Sequence, residues 1–209
     1  LASTPALTLR SLLGKWGDTL QQYAQGHEHS SVAKWGDAPL VKSIGNSTTL
    51  PKNITCREQL VPVVYMLCEC VAERLRLKHM KATVLHLWLR TADLSGQIRQ
   101  IQLGTPTQVS QRLADACFQL AAQYWHNEPL RSIGVQVSGL SAETQAQQLS
   151  FFASKEQKNA DLEHCIDDLR HRFGHWCIAR AITLKDADLQ IDPLEDNSLH
   201  SVAFKKGVR

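Results

Sequence analysis

The stretch ATVLHLWLRT, residues 82–91, decides the fold of this chain. Leucines occupy every second position at its centre, and the positions between them hold His86, Trp88 and Arg90. Because successive side chains of a strand point to opposite faces of a sheet, this alternation predicts a strand whose leucines face a core. The second face of the same strand, with its polar and aromatic side chains, is predicted to be uncovered.

The residues before this strand predict another strand and a helix. The Ser/Thr-rich stretch KSIGNSTTL, residues 42–50, has an extended pattern. Thr55 and Glu58 then match the T-x-x-E capping box of a helix start. Apolar residues from Leu60 to Leu75 recur at spacings of three and four, which is the stripe of an amphipathic helix.

The residues after the central strand predict the rest of a sheet domain. A short turn at residues 93–96 leads to QIRQIQL, residues 97–103, as the next strand. Thr105 is predicted to cap a second helix, with Pro106 at its first position. RSIGVQVSG, residues 131–139, alternates like a strand. The order β-α-β-β-α-β predicts an α+β fold, the split ferredoxin-like unit, with a four-stranded sheet and two helices on one face.

The sheet domain is predicted to have smaller segments on either side. Residues 1–30 carry two short apolar helix patterns that end at Gly14 and Gly26, where glycine favours helix termination. The predicted organisation is a small helical segment at 1–30, a linker at 31–41, the sheet domain at 42–140, a connector at 141–158, a helical segment at 159–192 and a tail at 193–209.

Composition restricts the classes of function. The 23 Lys and Arg against 20 Asp and Glu give a formal net charge of +3, so total charge alone does not indicate nucleic-acid binding. No run of about 18 apolar residues predicts a membrane span. The six cysteines include no C-x-x-C pair, which favours a reduced, cytoplasmic compartment. The chain begins at Leu1 without a Met, and we expect it to be part of a longer protein.

The predicted open face of the sheet is polar and has almost no carboxylate, since Asp93 lies in the turn rather than on a strand. Hydroxyl groups, arginines and exposed backbone amides are the donors that hold nucleic-acid phosphates without recognising bases. The face is therefore a candidate phosphate-binding surface, and an ordinary solvated sheet face is the alternative interpretation. Its predicted outward residues are Ser43, Gly45, Ser47, Thr49, His86, Trp88, Arg90, Gln97, Arg99, Gly134, Gln136 and Ser138.

Three stretches resemble one protein family. KSIGNSTTLPKNI, residues 42–54, resembles the opening strand of the little finger domain of Y-family translesion DNA polymerases, the UmuC/DinB class. LLGKWGDTLQQYAQGHEHSSV, residues 12–32, resembles the end of that family's thumb, and residues 131–140 resemble its last little finger strand. The resemblance implies that primer–template DNA is a partner. The expected DNA-binding residues are Lys42, Ser43, Gly45, Asn46, Thr49 and Arg99 from the resemblance, with Arg90 and Gln102 added from the strand pattern.

A further motif follows the last predicted strand. QLSFF, residues 148–152, is similar to the pentapeptide by which bacterial polymerases dock on the sliding clamp, the beta subunit, with Phe151 in place of Leu. The resemblance implies that Gln148 fills a polar subsite and that Leu149 and Phe152 enter apolar pockets, with Ser150 between them. The alternative is that the two phenylalanines fold back on the domain. Residues 166–184 also resemble the C-terminal segment of the Gram-positive branch.

The resemblance places the catalytic centre outside this chain. Nucleotidyl transfer needs carboxylates that hold divalent metal ions, and in this family they belong to the palm, with Mg²⁺. The adjacent Asp167 and Asp168 are expected to lie on a solvated helix surface beside arginines. We therefore expect no catalytic residue and no cofactor in this chain, which would act together with the palm and fingers of a polymerase.

Other hypotheses compete with this one. His86 and Trp88 are typical of a stand-alone RNA- or single-strand-binding module of ferredoxin-like topology, whose aromatic side chains stack on bases. Residues 131–139 supply no aromatic to such a surface. A purely structural interaction domain would leave the carboxylate-free face unexplained. A metal site is the weakest alternative, because no closed four-ligand spacing occurs among His164, Cys165, His171, His175 and Cys177.

Overall fold

The computed structural model describes residues 1–32, 34, 41–143 and 155–184. These residues belong to two compact units, Leu1–Leu40 and Val41–Arg209. None of the helices in the described ranges combines the length and the apolar character that a bilayer span requires.

The smaller unit is a pair of short helices. α1 spans Ala6–Leu13 and α2 spans Trp16–Ala24, which confirms the two helices predicted there. The chain reverses at Gly14, whose φ of 61° lies in the left-handed region that favours glycine. The helices cross at Gly17, which is buried, and a Cβ at this position would stand 2.5 Å from the carbonyl oxygen of Leu9. The absence of a side chain at Gly17 therefore sets how closely the two helices approach.

The larger unit is built on one antiparallel sheet. Its order is β1-β4-β2-β3, and each neighbouring pair of strands is antiparallel. β2 and β4 are therefore the central strands, and the two strands of each β-α-β crossover are separated by one other strand. The predicted α+β architecture is confirmed. The strands are β1 (Ser43–Ile54), β2 (Met80–Thr91), β3 (Gly96–Thr107) and β4 (Leu130–Ala142).

Two helices cover one face of this sheet. α3 (Arg57–Leu77) packs on β1, β4 and β2, and α4 (Ser110–Tyr124) packs on β2 and β3. Burying an aliphatic side chain contributes about 1.5–3 kcal/mol, so the core fixes which face of each central strand points inward. The inward side chains are buried as predicted: Leu85, Leu87, Leu89, Ile133, Val135 and Val137.

Both predicted helix starts lie elsewhere. α3 begins after Cys56, which makes no side-chain cap bond, and the Thr55 amide donates to Gln59 Oε1 at 3.1 Å, so the predicted box between Thr55 and Glu58 does not form. Thr105 and Pro106 do not start α4, because both lie within β3. β3 is an edge strand, where a proline is tolerated because one side of the backbone has no neighbouring strand to bond.

The second edge strand also contains a proline. Pro51 lies in β1, whose pairing with β4 is irregular between Thr49 and Ile54. In β3, the regular pairing with β2 is likewise interrupted near Pro106, between the β2 residues Ala82 and Val84. A proline has no backbone N–H, so each edge strand lacks one donor near an irregular part of its ladder.

A further helix packs on the helical layer rather than on the sheet. α5 (Lys155–Phe173) is followed by two 3₁₀ turns, His175–Cys177 and Ala181–Leu184. Leu162 and Phe173 on α5 are 58% and 65% exposed, whereas its Glu163 and Arg170 are buried. α5 therefore docks through charged side chains, the reverse of the usual amphipathic arrangement.

Buried ion pairs hold α5 against α3. The side chain of Arg76 is 5% exposed and pairs with Glu163 and with Asp167, with an Nη2–Oδ1 distance of 2.8 Å to the latter. Burial lowers the pKa of the Arg76 guanidinium, but its hydrogen bond to Asp167 and the charge of Glu163 more than offset this and raise that pKa above its usual value. Asp168 is exposed as expected, whereas the expected solvated position of Asp167 was wrong.

The same segment completes the start of α4. Val109, the residue before this helix, has no side-chain cap. The Ser110 amide instead donates to Glu163 Oε1 at 2.9 Å, and this carboxylate lies at the positive end of the α4 dipole. Arg170 Nη2 adds a bond of 2.8 Å to Glu69 of α3. α5 is therefore bound to both helices of the sheet domain.

Five of the six cysteines fall into two groups by exposure, and Cys56 is intermediate between them. Cys68 of α3 and Cys117 of α4 are buried with their Sγ atoms 3.8 Å apart, and Cys70 is also buried. Burial raises the pKa of the Cys70 thiol to about 12. Cys165 and Cys177 are exposed. Because the thiolate is the reactive form, the two groups should differ strongly in reactivity.

Iodoacetamide is expected to modify Cys165 and Cys177 in the folded protein at about pH 8, and to spare Cys68, Cys70 and Cys117. Peptide mass spectrometry after short exposures measures the extent at each position. The same reaction in urea is the control and should modify all of them. Modification of Cys70 at the rate of Cys165 in the folded protein would contradict the buried arrangement.

Candidate nucleic-acid interface

The open face of the sheet is arranged in rows that cross the strands. The strand registers place an alternating set of hydroxyl, amide, aromatic and glycine positions side by side. No residue in these rows is acidic, so the described part of this face offers no carboxylate that would repel a phosphate. From β1 to β3 the rows are Ser43–Ser138–Val84–Gln102, Gly45–Gln136–His86–Gln100, Ser47–Gly134–Trp88–Ile98 and Thr49–Ser132–Arg90–Gly96.

Hydrogen bonds between strands orient several of these side chains. His86 Nε2 lies 2.8 Å from Ser138 Oγ, which places both groups on the same face of β2 and β4. Thr49 Oγ1 similarly lies 3.2 Å from Ser132 Oγ. Gln100 is exposed opposite His86. Hydroxyl, amide and imidazole groups of this kind donate to phosphate and sugar oxygens in protein–DNA complexes.

Charge is placed at the margins of this face. Arg90 lies at the end of β2, where its Nε donates to the carbonyl oxygen of Leu94 at 3.3 Å. Lys42 is exposed directly before β1. Asp93 lies in the β2–β3 turn, as predicted, where hydrogen bonds from Thr91 and Ser95 lower its pKa. Arg90 therefore stands in the last row and Lys42 just before the first strand, and the carboxylate of Asp93 is hydrogen-bonded within its own turn.

Two predicted outward residues of β3 face the side of the helices. Gln97 and Arg99 pair with the inward leucines of β2. Gln97 Nε2 donates to the carbonyl oxygen of Tyr124 at 3.2 Å, and the Arg99 guanidinium lies 4.9 Å from the centre of the Tyr124 ring. Their predicted orientation was wrong because the two isoleucines of β3, at positions 98 and 101, are three residues apart and so point to opposite faces. The apolar pattern of this edge strand therefore does not define which face points inward.

The structure brings together part of the expected DNA-binding set. Ser43, Gly45, Thr49, Arg90 and Gln102 share the open face.

Asn46 and Lys42 occupy different positions from that set. Asn46 pairs with the buried Val135, so its side chain lies on the helix side of the edge strand β1, and its Oδ1 accepts a bond from the Ser47 amide at 3.1 Å. Lys42 precedes the strand. The DNA-binding role of each of these residues stays a prediction.

Sequence reasoning missed two outward residues of β3. Ile98 lies beside Trp88 and is 62% exposed, and Gln100 lies beside His86. A hairpin turn centred on Asp93 pairs Trp88 with Ile98 and His86 with Gln100. Assuming this register would have placed both β3 residues on the open face with their partners.

The expected clamp-binding residues, Gln148, Leu149, Ser150, Phe151 and Phe152, lie outside the described residues. Their role therefore also stays a prediction. Within residues 1–32, 34, 41–143 and 155–184, no three His, Cys, Asp or Glu side chains are grouped so that they could hold a metal ion. The described residues thus offer no fit for the Mg²⁺ that the resemblance assigns to a palm domain.

An antiparallel sheet in the order β1-β4-β2-β3, with two helices on one face and polar rows on the other, defines a little-finger-like domain. Comparison with known families agrees with this class, because residues 41–151 match the model of the impB/mucB/samB family C-terminal domain. The chain belongs to the impB/mucB/samB family.

Curated relatives match over more of the chain than this domain. The DNA polymerase IV of Acetivibrio thermocellus is 34% identical over 180 residues, which cover 85% of this chain and 45% of that protein. The DNA polymerase IV of Pelotomaculum thermopropionicum is 30% identical over 90% of this chain and 46% of its own length. DNA polymerase IV 1 of Bacillus subtilis is 29% identical over 88% of this chain and 45% of its own length. The chain thus spans about half the length of these relatives.

Proposed function

We propose that this chain is the DNA-gripping and clamp-tethering part of a Y-family DNA polymerase that acts in translesion synthesis during DNA repair. The observation that carries the proposal is the open sheet face, whose rows of hydroxyl and amide groups include Arg90, lie next to Lys42 and contain no acidic residue. Membership of the impB/mucB/samB family and the relatives named DNA polymerase IV support it.

The proposed grip acts mainly on phosphates. Ser43, Thr49 and Gln136 would donate to backbone oxygens, and Arg90 would pair with a phosphate, as such groups do in protein–DNA complexes. Contacts of this type do not require a particular base, so they tolerate a damaged template. The sheet would therefore hold primer–template DNA while a palm domain, with its Mg²⁺, carries out nucleotidyl transfer in the longer protein.

The proposed tether is the segment Gln148–Phe152. A weak grip on DNA releases the primer end easily, and attachment to a sliding clamp raises the effective concentration of the polymerase there. Gln148, Leu149 and Phe152 would supply most of the binding energy, because a few anchors dominate such interfaces. Nucleoid-associated action in the cytoplasm is part of this proposal.

Arg90→Ala is expected to weaken binding to a primer–template DNA about tenfold at low salt, because one charge-assisted phosphate contact is lost. The slope of log affinity against log salt should become shallower by about one. Fluorescence anisotropy with a labelled DNA at several salt concentrations measures both quantities. Arg172→Ala removes the same charge from an exposed position on α5 and should change neither by a comparable amount. Equal losses in the two variants would contradict a role for the sheet face.

Gln148→Ala/Phe152→Ala is expected to abolish binding of the chain to a bacterial sliding clamp, since the polar and apolar anchors are both removed. Isothermal titration calorimetry measures the interaction, with binding of the unaltered chain expected in the micromolar range. Gln145→Ala/Gln147→Ala is the matched control and should bind like the unaltered chain. Failure of the unaltered chain to bind any bacterial clamp would overturn the tethering part of the proposal and favour a fold-back role for Phe151 and Phe152.

A further inference from the structure

The apolar centre of the open face has an unusual setting. Trp88 of β2 is half-buried and lies beside Gly134 of β4 in the same row. A Cβ on Gly134 would stand 3.1 Å from Trp88 Cε3, and a Cβ on Gly96 of β3 would stand 3.4 Å from Trp88 Nε1. The indole therefore spans the space between two positions that lack side chains, one on each neighbouring strand.

Ile98 extends this apolar surface. It pairs with Trp88 across β2 and β3, and it is 62% exposed although its strand supplies Ile101 and Leu103 to the core side. An exposed isoleucine beside a tryptophan contributes nothing to the core described above. An apolar group on an otherwise polar binding face indicates a contact with a ligand that has an apolar surface of its own.

The surroundings of Trp88 and Ile98 favour a nucleobase as that ligand. The neighbouring row on one side offers Gln136, His86 and Gln100, whose groups donate and accept hydrogen bonds. The neighbouring row on the other side offers Arg90, which suits a phosphate. A nucleobase combines an apolar face with polar edges and a negatively charged backbone. An apolar protein segment would instead cover the adjacent amides without satisfying them.

The bases inside a duplex are stacked on each other, so an interior base pair has no face to offer an indole. We propose that the surface formed by Trp88 and Ile98 binds an unpaired base of the template strand beside the duplex that the sheet holds. This inference rests on the proposed DNA-binding function and adds a site to it. Stacking of one base on an aromatic side chain contributes about 1–3 kcal/mol, which corresponds to roughly a 5- to 150-fold gain in affinity.

The test compares the 209-residue chain on three DNAs that share one duplex: blunt-ended, with a single-stranded 5′ overhang, and with an overhang of abasic sites. The overhang should raise affinity about tenfold over the blunt duplex, and the abasic overhang should not, because it keeps the phosphates and lacks the bases. Trp88→Leu should reduce the gain to about twofold, and its loss on the blunt duplex should be clearly smaller than its loss on the overhang DNA.

Two further variants separate a loss at this site from a general loss of folding or binding. Ile98→Ser changes an exposed side chain, so it should fold normally and lose part of the overhang gain. Phe173→Leu is the matched control, since Phe173 is an exposed aromatic on α5, and it should keep the full gain. Equal losses on blunt and overhang DNA in Trp88→Leu, or no loss on either, would overturn the stacking site while leaving the proposed grip intact.

Two other results would overturn more than the stacking site. Failure of the unaltered chain to bind any of the three DNAs would overturn the proposed DNA-binding function and this site with it. Tighter binding of a single-stranded RNA than of the overhang DNA would overturn the assignment to a template base and favour an RNA-binding module.

Discussion

Replacing Arg76 with methionine is expected to lower the free energy of unfolding of the sheet domain by about 3–5 kcal/mol. Arg76 lies between Glu163 and Asp167 with its side chain 5% exposed. Methionine fills a similar volume without the charge, so the two carboxylates would remain largely buried without their partner. The docked helix α5 and the start of α4, which Glu163 completes, should both be weakened.

Urea unfolding followed by tryptophan fluorescence measures this loss. Arg172→Met is the matched control, because Arg172 is an exposed arginine on α5, and its effect should stay within about 0.5 kcal/mol. Arg76→Met/Asp167→Asn should recover part of the loss, since it removes one charge of each sign and keeps Glu163 at the start of α4. A loss for Arg76→Met no larger than for Arg172→Met would show that α5 does not depend on these ion pairs.

The Gly17→Val variant is expected to unfold the helix pair α1–α2 and to leave the sheet domain folded. The new Cβ would stand 2.5 Å from the Leu9 carbonyl oxygen, which is backbone and has no rotamer that could move it aside. Overpacking of this kind costs about 1–3 kcal/mol. Two helices this short have little stability of their own, so this cost should be enough to unfold the pair.

Hydrogen–deuterium exchange measured by NMR separates the two units. Amides of residues 6–24 should lose protection in Gly17→Val, and amides of residues 43–142 should keep it. Gln22→Val places the same β-branched residue at an exposed position of α2 and controls for its lower helix propensity. Retained protection of residues 6–24 in Gly17→Val would show that the helices tolerate a wider separation.

The central strands were predictable from sequence because each has a strict two-residue alternation. In β2 the leucines at 85, 87 and 89 leave one possible inward face, and the structure buries all three. β3 has no such alternation, since Ile98 and Ile101 would point to opposite faces in any register. Its orientation was set by pairing with β2, where Leu85 lies opposite Ile101. Tertiary pairing therefore decided what the local pattern left undefined.

The docking of α5 was beyond the rules that predicted the other helices. Those rules place the apolar side of a helix against the core, and in α5 they would bury Leu162 and Phe173. The structure buries Glu163 and Arg170 instead, because their partners Arg76 and Glu69 are supplied by α3, far away in the sequence. No local pattern in α5 reveals that such partners exist.

The candidate site was predictable in outline and less so in detail. The first strand and β2 correctly gave Ser43, Gly45, Thr49 and Arg90 on one face. The arrangement of Trp88 between Gly134 and Gly96 depends on registers on both sides of β2, which the sequence does not contain.

The two edge prolines also affect how readily the sheet aggregates through its edges. A strand at the border of a sheet can recruit a strand from another molecule and so begin aggregation. Pro51 in β1 and Pro106 in β3 each remove a donor along the outer strands, and each lies near an irregular stretch of pairing. Neither border therefore offers an uninterrupted template for a foreign strand. A polar sheet face can thus stay accessible to a ligand while the sheet itself is guarded against self-association.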